Sequence, residues 1–111
     1  MEQSKALAAL SALANETRLA LIRQLITRGD AGLPAGQIAG DFGMSASRLS
    51  FHLSALEQAG LVKARRESRN VFYSVDHGAM GGLIAYLLQD CCRDDPKVSA
   101  CCAHRITAQE R

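Results

Sequence analysis

The sequence has no tryptophan and only five aromatic residues, three Phe and two Tyr, among its 111 residues. Such scarcity excludes a core built on aromatic packing and favours helices that pack through Leu, Ile and Ala. No apolar run approaches the roughly 20 residues of a membrane span, and the start, MEQSKALAAL, lacks the basic and apolar regions of a signal peptide. We therefore expect a small cytoplasmic protein with no membrane partner and with reduced cysteines.

Little net charge is present, but it is unevenly placed. The chain carries +2 overall, while the segment from Arg48 to Arg69 alone holds five basic and two acidic side chains, a net +3. A basic segment of this kind is either an ordinary solvated face or a surface that faces phosphates. Charge alone does not separate these two interpretations.

Apolar residues recur with helical spacing in several segments. Five helices are predicted. The first covers residues 3–13, and the second begins after the N-cap Asn15 and ends at the sequence RGDAG. The other three cover residues 34–42, residues 46–58 (ASRLSFHLSALEQ) and about residues 77–91. Residues predicted to face inward are Leu7, Leu10 and Ala14, then Leu19, Ile22 and Ile26 with Leu21 and Leu25 beside them, then Ile38 and Phe42, then Leu49, Leu53 and Leu56, and finally Met80, Leu83, Ile84, Leu87 and Leu88. Pro34 suits a first helical turn, Gly43 a helix end and Ser45 an N-cap.

The run LVKARRESRNVFYSV predicts a β-hairpin. Apolar and polar residues alternate on both sides of the polar, turn-prone RESRN, as expected of two paired strands. Two short helices separated by GMS and followed by a basic hairpin make a winged helix-turn-helix. The predicted fold is therefore mainly α with a small β-hairpin wing.

The second helix of this pair would enter the major groove of DNA. Its predicted outward residues are Ala46, Ser47, Arg48, Ser50, Phe51 and His52. Hydroxyl, guanidinium and imidazole groups can bond to base edges or phosphates, whereas Ala46 and Phe51 offer apolar contact to a thymine methyl. The alternatives are that the serines face solvent only and that His52 makes a hydrogen bond within the domain. Arg65, Arg66 and Arg69 of the hairpin would lie along the DNA backbone or in the minor groove.

In these motifs the chain resembles the ArsR/SmtB family of bacterial metal-sensing repressors, over about residues 5–90. The resemblance rests on LSALANETRLALIRQL, on SASRLSFHLSALEQAGLVKARRESRNVFYSV and on the helix that follows. It implies a homodimer whose first and last helices pack together, and which represses its own operon from an imperfect palindrome. Residues 1–90 would form this DNA-binding and dimerisation domain, and residues 91–111 a polar, loosely ordered tail that carries cysteines.

Two metal sites of that family are not matched here. The best-known arsenic-responsive members of the family have a Cys-Val-Cys triplet. At the matching positions this sequence has Pro34, Ala35 and Gly36. The zinc site of other members needs a second histidine near the end of the last helix. Asp76 and His77 are present, but residues 89 and 90 are Gln and Asp, so we interpret His77 as a helix-start residue.

All four cysteines lie in the tail, as the adjacent pairs Cys91-Cys92 and Cys101-Cys102, with eight residues between the pairs. A disulfide between neighbouring cysteines is strained and makes a poor structural crosslink. Adjacent thiols can instead hold one large soft atom, and a third thiolate completes a pyramid around arsenic(III) or antimony(III). We expect Arg93, Lys97 and Arg105 to favour the thiolate form. The predicted function is a repressor that arsenite, methylated arsenite or antimonite releases from DNA.

Other functions fit the same four thiols. One alternative is a zinc, cadmium or lead sensor that uses all four, and another is a redox or persulfide switch between the two pairs. A third, of a different class, is a thiol protein that carries metal and never binds DNA, which the basic hairpin argues against. The cysteines could also have no role. No spacing assembles a nucleophile, a base and an oxyanion donor, so an enzyme is not expected.

Overall fold

A computed structural model describes residues 1–100 of the chain. The helices are α1 Gln3–Leu13, α2 Glu16–Ile26, α3 Ala35–Phe42, α4 Ala46–Gln58 and α5 His77–Tyr86, and the strands are β1 Leu33–Pro34, β2 Val62–Glu67 and β3 Asn70–Val75. The three strands form one small antiparallel sheet with the strand order β1-β3-β2. The predicted class, mainly α with a β-hairpin wing, is confirmed.

Side-chain caps fix where the helices begin. Asn15 accepts a hydrogen bond from the backbone N–H of Arg18 at 3.1 Å, and Ser45 accepts one from the N–H of Arg48 at 3.2 Å. Each cap satisfies an N–H that the first helical turn leaves without a partner. Gly43 ends α3 in the left-handed region, at φ +60°. Gly43 and the Ser45 cap confirm the predicted turn between α3 and α4.

The sheet contains a strand that the sequence did not reveal. β2 and β3 pair from Val62 with Val75 to Glu67 with Asn70, and the two-residue β1 adds to the other edge of β3. Pro34 was predicted in the first turn of a helix, but it is extended, at φ −71° and ψ 145°, and pairs with Phe72. Proline has no N–H to donate and is tolerated at such an edge, so α3 begins one residue later.

The core lies between α4 and the helices around it. Leu49, Leu53 and Leu56 of α4 are buried, as predicted. α1, however, buries Ala6, Ala9 and Ala12 rather than the predicted leucines. Alanines allow α1 to approach α2, α4 and α5 closely, because they add little width to the contact. The large apolar residues predicted inward but found exposed are Leu7 at 56%, Leu10 at 37%, Leu19 at 49%, Ile26 at 43% and Ile84 at 51%.

The last helix changes form before the cysteines. The helix predicted over about residues 77–91 is confirmed in extent: α5 runs to Tyr86 and continues as a π-helical turn, Leu87–Cys91. The chain then reverses through Arg93 and Asp94, which both have positive φ. Residues 96–100 are helical, although the tail was predicted to be loosely ordered, and Asp95 caps them by accepting from the N–H groups of Lys97 and Val98. Within residues 1–100 no helix is long and apolar enough to cross a membrane.

Candidate nucleic-acid interface

The outer face of α4 presents small and polar groups in a continuous strip. Ala46, Ser47, Arg48, Ser50 and Phe51 are all exposed, as predicted, and Phe51 is 65% exposed, more than any other large apolar residue among residues 1–100. The opposite face holds the helix in the core through its leucines. Small side chains along this strip let the helix backbone come close to a partner surface, which is what insertion into a major groove about 12 Å wide requires.

His52 does not belong to this outer face, contrary to the prediction. It is 8% exposed, and its Nδ1 accepts a hydrogen bond from Nε of Arg18 at 3.2 Å. The physical reason is helical spacing: His52 follows Leu49 by three residues and precedes Leu56 by four, so it shares their buried face. The alternative for His52, a hydrogen bond within the domain, is the arrangement found.

The environment of His52 disfavours its charged form. Burial lowers the pKa of its imidazole below 6.5, and the positive charges of Arg18 and Arg48 lower it further. Arg18 also lies over the ring of Phe51 at 5.6 Å, and the Phe51 and His52 rings meet edge to face at 5.4 Å. The imidazole of His52 is thus neutral and lies next to the exposed face of α4, close to the positive charges of Arg18 and Arg48 and to the ring of Phe51.

The three arginines of the hairpin are not equivalent. Arg65 donates through Nη1 to the carbonyl of Asp30 and through Nη2 to that of Ala31, both at 3.2 Å, and its Nε contacts Glu67 at 3.0 Å. Its guanidinium is therefore fixed to the loop before β1. Arg66 and Arg69 are exposed and make no side-chain hydrogen bond or ion pair to any of residues 1–100. Only these two keep all their donors free for an anionic partner.

A pocket of about 190 Å³ separates α4 from the wing. Its lining is apolar apart from Ser50 and Tyr73, and it includes Gly36, which matches the second cysteine of the arsenic-responsive triplet, and Ala35, which matches its valine. Burial, followed by the charge of Glu57, raises the pKa of Tyr73 above 10.0. The phenol is therefore neutral at pH 7, and the pocket offers no thiolate or other soft metal ligand.

The first cysteine pair lies at the end of the π-helical turn. Cys91 is exposed and Cys92 half-buried, and both are free thiols. The pKa of Cys92 is raised by burial, then by its side-chain hydrogen bond with Cys91 and by the charges of Cys91 and Asp95. For Cys92, this is opposite to the predicted effect of the nearby basic residues. The pair Cys101-Cys102 and Arg105 lie outside the described residues.

No group of three or more metal-binding side chains converges within residues 1–100. His77 begins α5, as predicted, with Asp76 as its N-cap at 3.0 Å from the N–H of Ala79. Its Nδ1 lies 3.6 Å from a carboxylate oxygen of Asp30. A single imidazole and a distant carboxylate would give an incomplete zinc site.

Arg18 is the contributing residue that sequence reasoning missed. It is part-buried, and besides His52 it contacts the carbonyl of Ala12 through Nη1 at 3.4 Å. Arg18 lies three residues after the Asn15 cap, and from this position the sequence predicts only that it belongs to the first turn of α2. Nothing in the local pattern points to a partner 34 residues away.

The chain is similar to known regulators of transcription. Residues 13–65 match the model of a helix-turn-helix domain family. The transcriptional activator HlyU of Vibrio cholerae is 36% identical over 84 residues, which cover 76% of this chain and 75% of HlyU. A probable mercury resistance operon repressor of Streptomyces lividans is 35% identical over 98 residues, or 88% of this chain and 74% of the repressor.

A solved structure extends the comparison to the fold. It is the homodimeric winged helix-turn-helix DNA-binding domain Mb0332 from Mycobacterium bovis, a possible ArsR-family transcriptional regulator. The two structures match with a TM-score of 0.65 and 30% identity, covering 82% of this chain and 81% of the other. The structural similarity thus extends over most of both chains.

Proposed function

Because this chain belongs to the ArsR family of winged helix-turn-helix transcriptional regulators, we propose that it is a repressor that leaves its operator when trivalent arsenic binds the cysteine tail. The family consists of DNA-binding regulators and not of enzymes. The observation that carries the proposal is the pair of adjacent free thiols at the end of the π-helical turn that follows α5.

The exposure of each side chain indicates which part of the DNA it would contact. Arg48, Ser47 and Ser50 would bond to base edges in the major groove, with Ala46 and Phe51 as apolar contacts to thymine methyl groups. Arg66 and Arg69 would contact phosphates, since their guanidinium groups are free of partners among residues 1–100. Arg65 and His52 would act indirectly, by holding the wing and α4 in place.

The repressor would act as a homodimer. Leu7 and Leu10 of α1 and Ile84 of α5 are large, apolar and exposed, and the two helices pack side by side. Burial of such residues against a second copy removes apolar surface from water, at roughly 25 cal/mol per Å². The similar Mb0332 domain is homodimeric. Two recognition helices would then meet an imperfect palindrome with half-sites about 10 bp apart.

Arsenite can react with thiols that are still protonated. When three thiols displace the three hydroxides of arsenous acid, the thiol protons leave with them as three molecules of water, so no thiol needs to ionise beforehand. The raised pKa of Cys92 is therefore no obstacle. Cys91 and Cys92 would supply two sulfurs and either Cys101 or Cys102 the third, with antimonite and methylated arsenite as related ligands.

A second candidate ligand is a divalent thiophilic ion such as mercury, cadmium, zinc or lead. The similarity to the probable mercury resistance operon repressor favours it. These ions bind thiolates and must displace protons into solution, so their affinity depends strongly on pH. A thiol switch driven by oxidation or persulfide would use the same cysteines without any metal.

One titration separates these candidates. The full-length chain, bound to a fluorescent duplex that it selects from a random library, is titrated with arsenite, antimonite, mercury, cadmium and zinc under a phosphine reductant. We expect release by arsenite and antimonite at the lowest concentrations. Release by cadmium or mercury alone would favour the divalent candidate, and release only after the reductant is removed would favour the redox switch.

A further inference from the structure

Arg18 connects three helices of the DNA-binding domain. From α2 it donates through Nη1 to the carbonyl of Ala12 at the end of α1, and through Nε to Nδ1 of His52 in α4. Its guanidinium covers the ring of Phe51, the aromatic residue on the exposed strip of α4. The cap from Asn15 fixes the backbone from which this side chain starts. A single side chain thus joins α1 to the helix that faces DNA.

We propose that Arg18 and His52 form a positioning pair that sets the orientation of α4 on α1, and that the pair forms only while His52 is neutral. A guanidinium has donors and no acceptor, so Nδ1 must carry no proton, and the imidazole proton must reside on Nε2. Protonation of Nδ1 would place two N–H groups and two positive charges face to face. The pair would separate, and the contact of Arg18 with Phe51 would loosen with it.

The surroundings keep His52 neutral at ordinary pH. The charged groups that act on it are Arg18 from α2 and Arg48 from its own helix, and both oppose a further positive charge. Acidification would therefore have two opposite effects on DNA binding. Loss of the pair would weaken the contacts that depend on the orientation of α4, while the added charge would strengthen attraction to any phosphate backbone.

The ratio of specific to non-specific affinity is therefore the informative measurement. The inference rests on the proposed role of α4 in DNA recognition and not on the response to arsenic. The probes are a duplex selected by the wild-type chain and a scrambled duplex of equal length. The variants are His52→Asn, which keeps an acceptor near the position of Nδ1 but cannot titrate, Arg18→Gln, which lacks the guanidinium, and His77→Asn, a matched exposed control.

We expect the wild-type ratio to fall as the pH is lowered from about 7.5 to about 5, by about 10-fold once His52 is protonated, the size expected for loss of a hydrogen bond to a charged group. His52→Asn should keep the ratio within about 3-fold of wild type and hold it constant over this range. Arg18→Gln should have the low ratio at both pH values, and His77→Asn should follow wild type.

Two results would overturn the positioning pair: a His52→Asn profile that falls with pH as wild type does, or a wild-type ratio for a folded Arg18→Gln. Should Arg18→Gln fail to fold, the comparison of His52→Asn with wild type still decides. A wild-type chain that selects no duplex at all would overturn the role of α4 in DNA recognition itself, which distinguishes that failure from failure of the pair.

Discussion

The guanidinium of Arg65 lies over the ring of Phe72, its cross-strand partner, at 5.1 Å from the ring centroid. Together with its bonds to the carbonyls of Asp30 and Ala31, this stacking anchors the wing to the loop before β1. Arg65, which the sequence predicts to contact DNA, therefore also holds the wing to this loop.

This difference predicts separate effects for the wing arginines. Arg66→Ala and Arg69→Ala should each weaken binding to all duplexes alike and reduce the salt dependence by about one unit of slope. Arg65→Ala should lower the temperature of unfolding and change the slope by much less. The measurement is DNA-binding anisotropy at several salt concentrations, with thermal unfolding in parallel. Arg48→Ala is the contrasting variant, since it should change which duplexes are preferred.

Equal salt slopes for Arg65→Ala and Arg66→Ala would contradict this division. So would a change of sequence preference for Arg66→Ala or Arg69→Ala, because contacts to phosphates carry no direct sequence information.

The exposed leucines predict where subunits meet. Leu10→Glu or Ile84→Glu should convert the dimer to monomer at micromolar concentration, because a carboxylate would have to be buried in an apolar contact. Leu19→Glu is the matched control: Leu19 is similarly exposed, but it lies on α2. Analytical ultracentrifugation gives the mass directly. A wild-type monomer, or equal dissociation by the Leu19 variant, would contradict the proposed interface.

The lowered pKa of His52 predicts acid sensitivity of the fold. The unfolded chain binds a proton near pH 6.5, while the folded chain does so only at lower pH. Stability contributed by neutral His52 is thus fully present above pH 6.5 and is lost as the pH falls below it. Urea unfolding between about pH 7.5 and 5 measures this. His52→Asn should show a smaller loss than wild type, and an identical loss would contradict the assignment.

The chemistry of ligand exchange predicts a difference between arsenite and cadmium. Arsenite takes up the thiol protons as water, so its affinity should vary little between about pH 6 and 8. Cadmium must displace protons from thiols, one of which has a raised pKa, and should bind more tightly as the pH rises. Competition with a thiol-reactive dye at several pH values measures both affinities. Parallel pH profiles would contradict binding of arsenite through protonated thiols.

Much of the fold could be predicted because local signals agree with one another. The Ser45 cap, the left-handed Gly43 and the leucine spacing of α4 each favour the same helix-turn-helix. The inward face of α1 could not be predicted in the same way. Alanines and leucines both recur with helical spacing there, and only close packing against α2 and α4 selects the alanines.

The exposed residues of the site could be predicted from helical spacing. The contacts between residues that are distant in the sequence could not. The serines and Arg48 lie on the outer face that the pattern of α4 indicates. The spacing of His52 from Leu49 also contained the signal for its burial, but a polar residue beside a basic segment favoured the opposite interpretation. The partner of His52 depends on how α2 crosses α4, which no local pattern encodes.

The measurement that tests the central claim most directly is arsenite-driven release from DNA. Anisotropy of the selected duplex is followed during arsenite titration, under a phosphine reductant, for wild type and for Cys91→Ser, Cys92→Ser and the double variant. Ser99→Ala is a matched control in the same tail. Arsenite should weaken wild-type binding by about 5- to 150-fold, the usual range of such coupling.

All the serine variants should bind the duplex as wild type does and remain bound in arsenite, while Ser99→Ala should be released. Cys101→Ser and Cys102→Ser should differ from each other if one thiol is the third ligand, and should match if the two substitute freely. Release of the double Cys91→Ser, Cys92→Ser variant at the wild-type arsenite concentration would contradict the proposal that this cysteine pair senses arsenic.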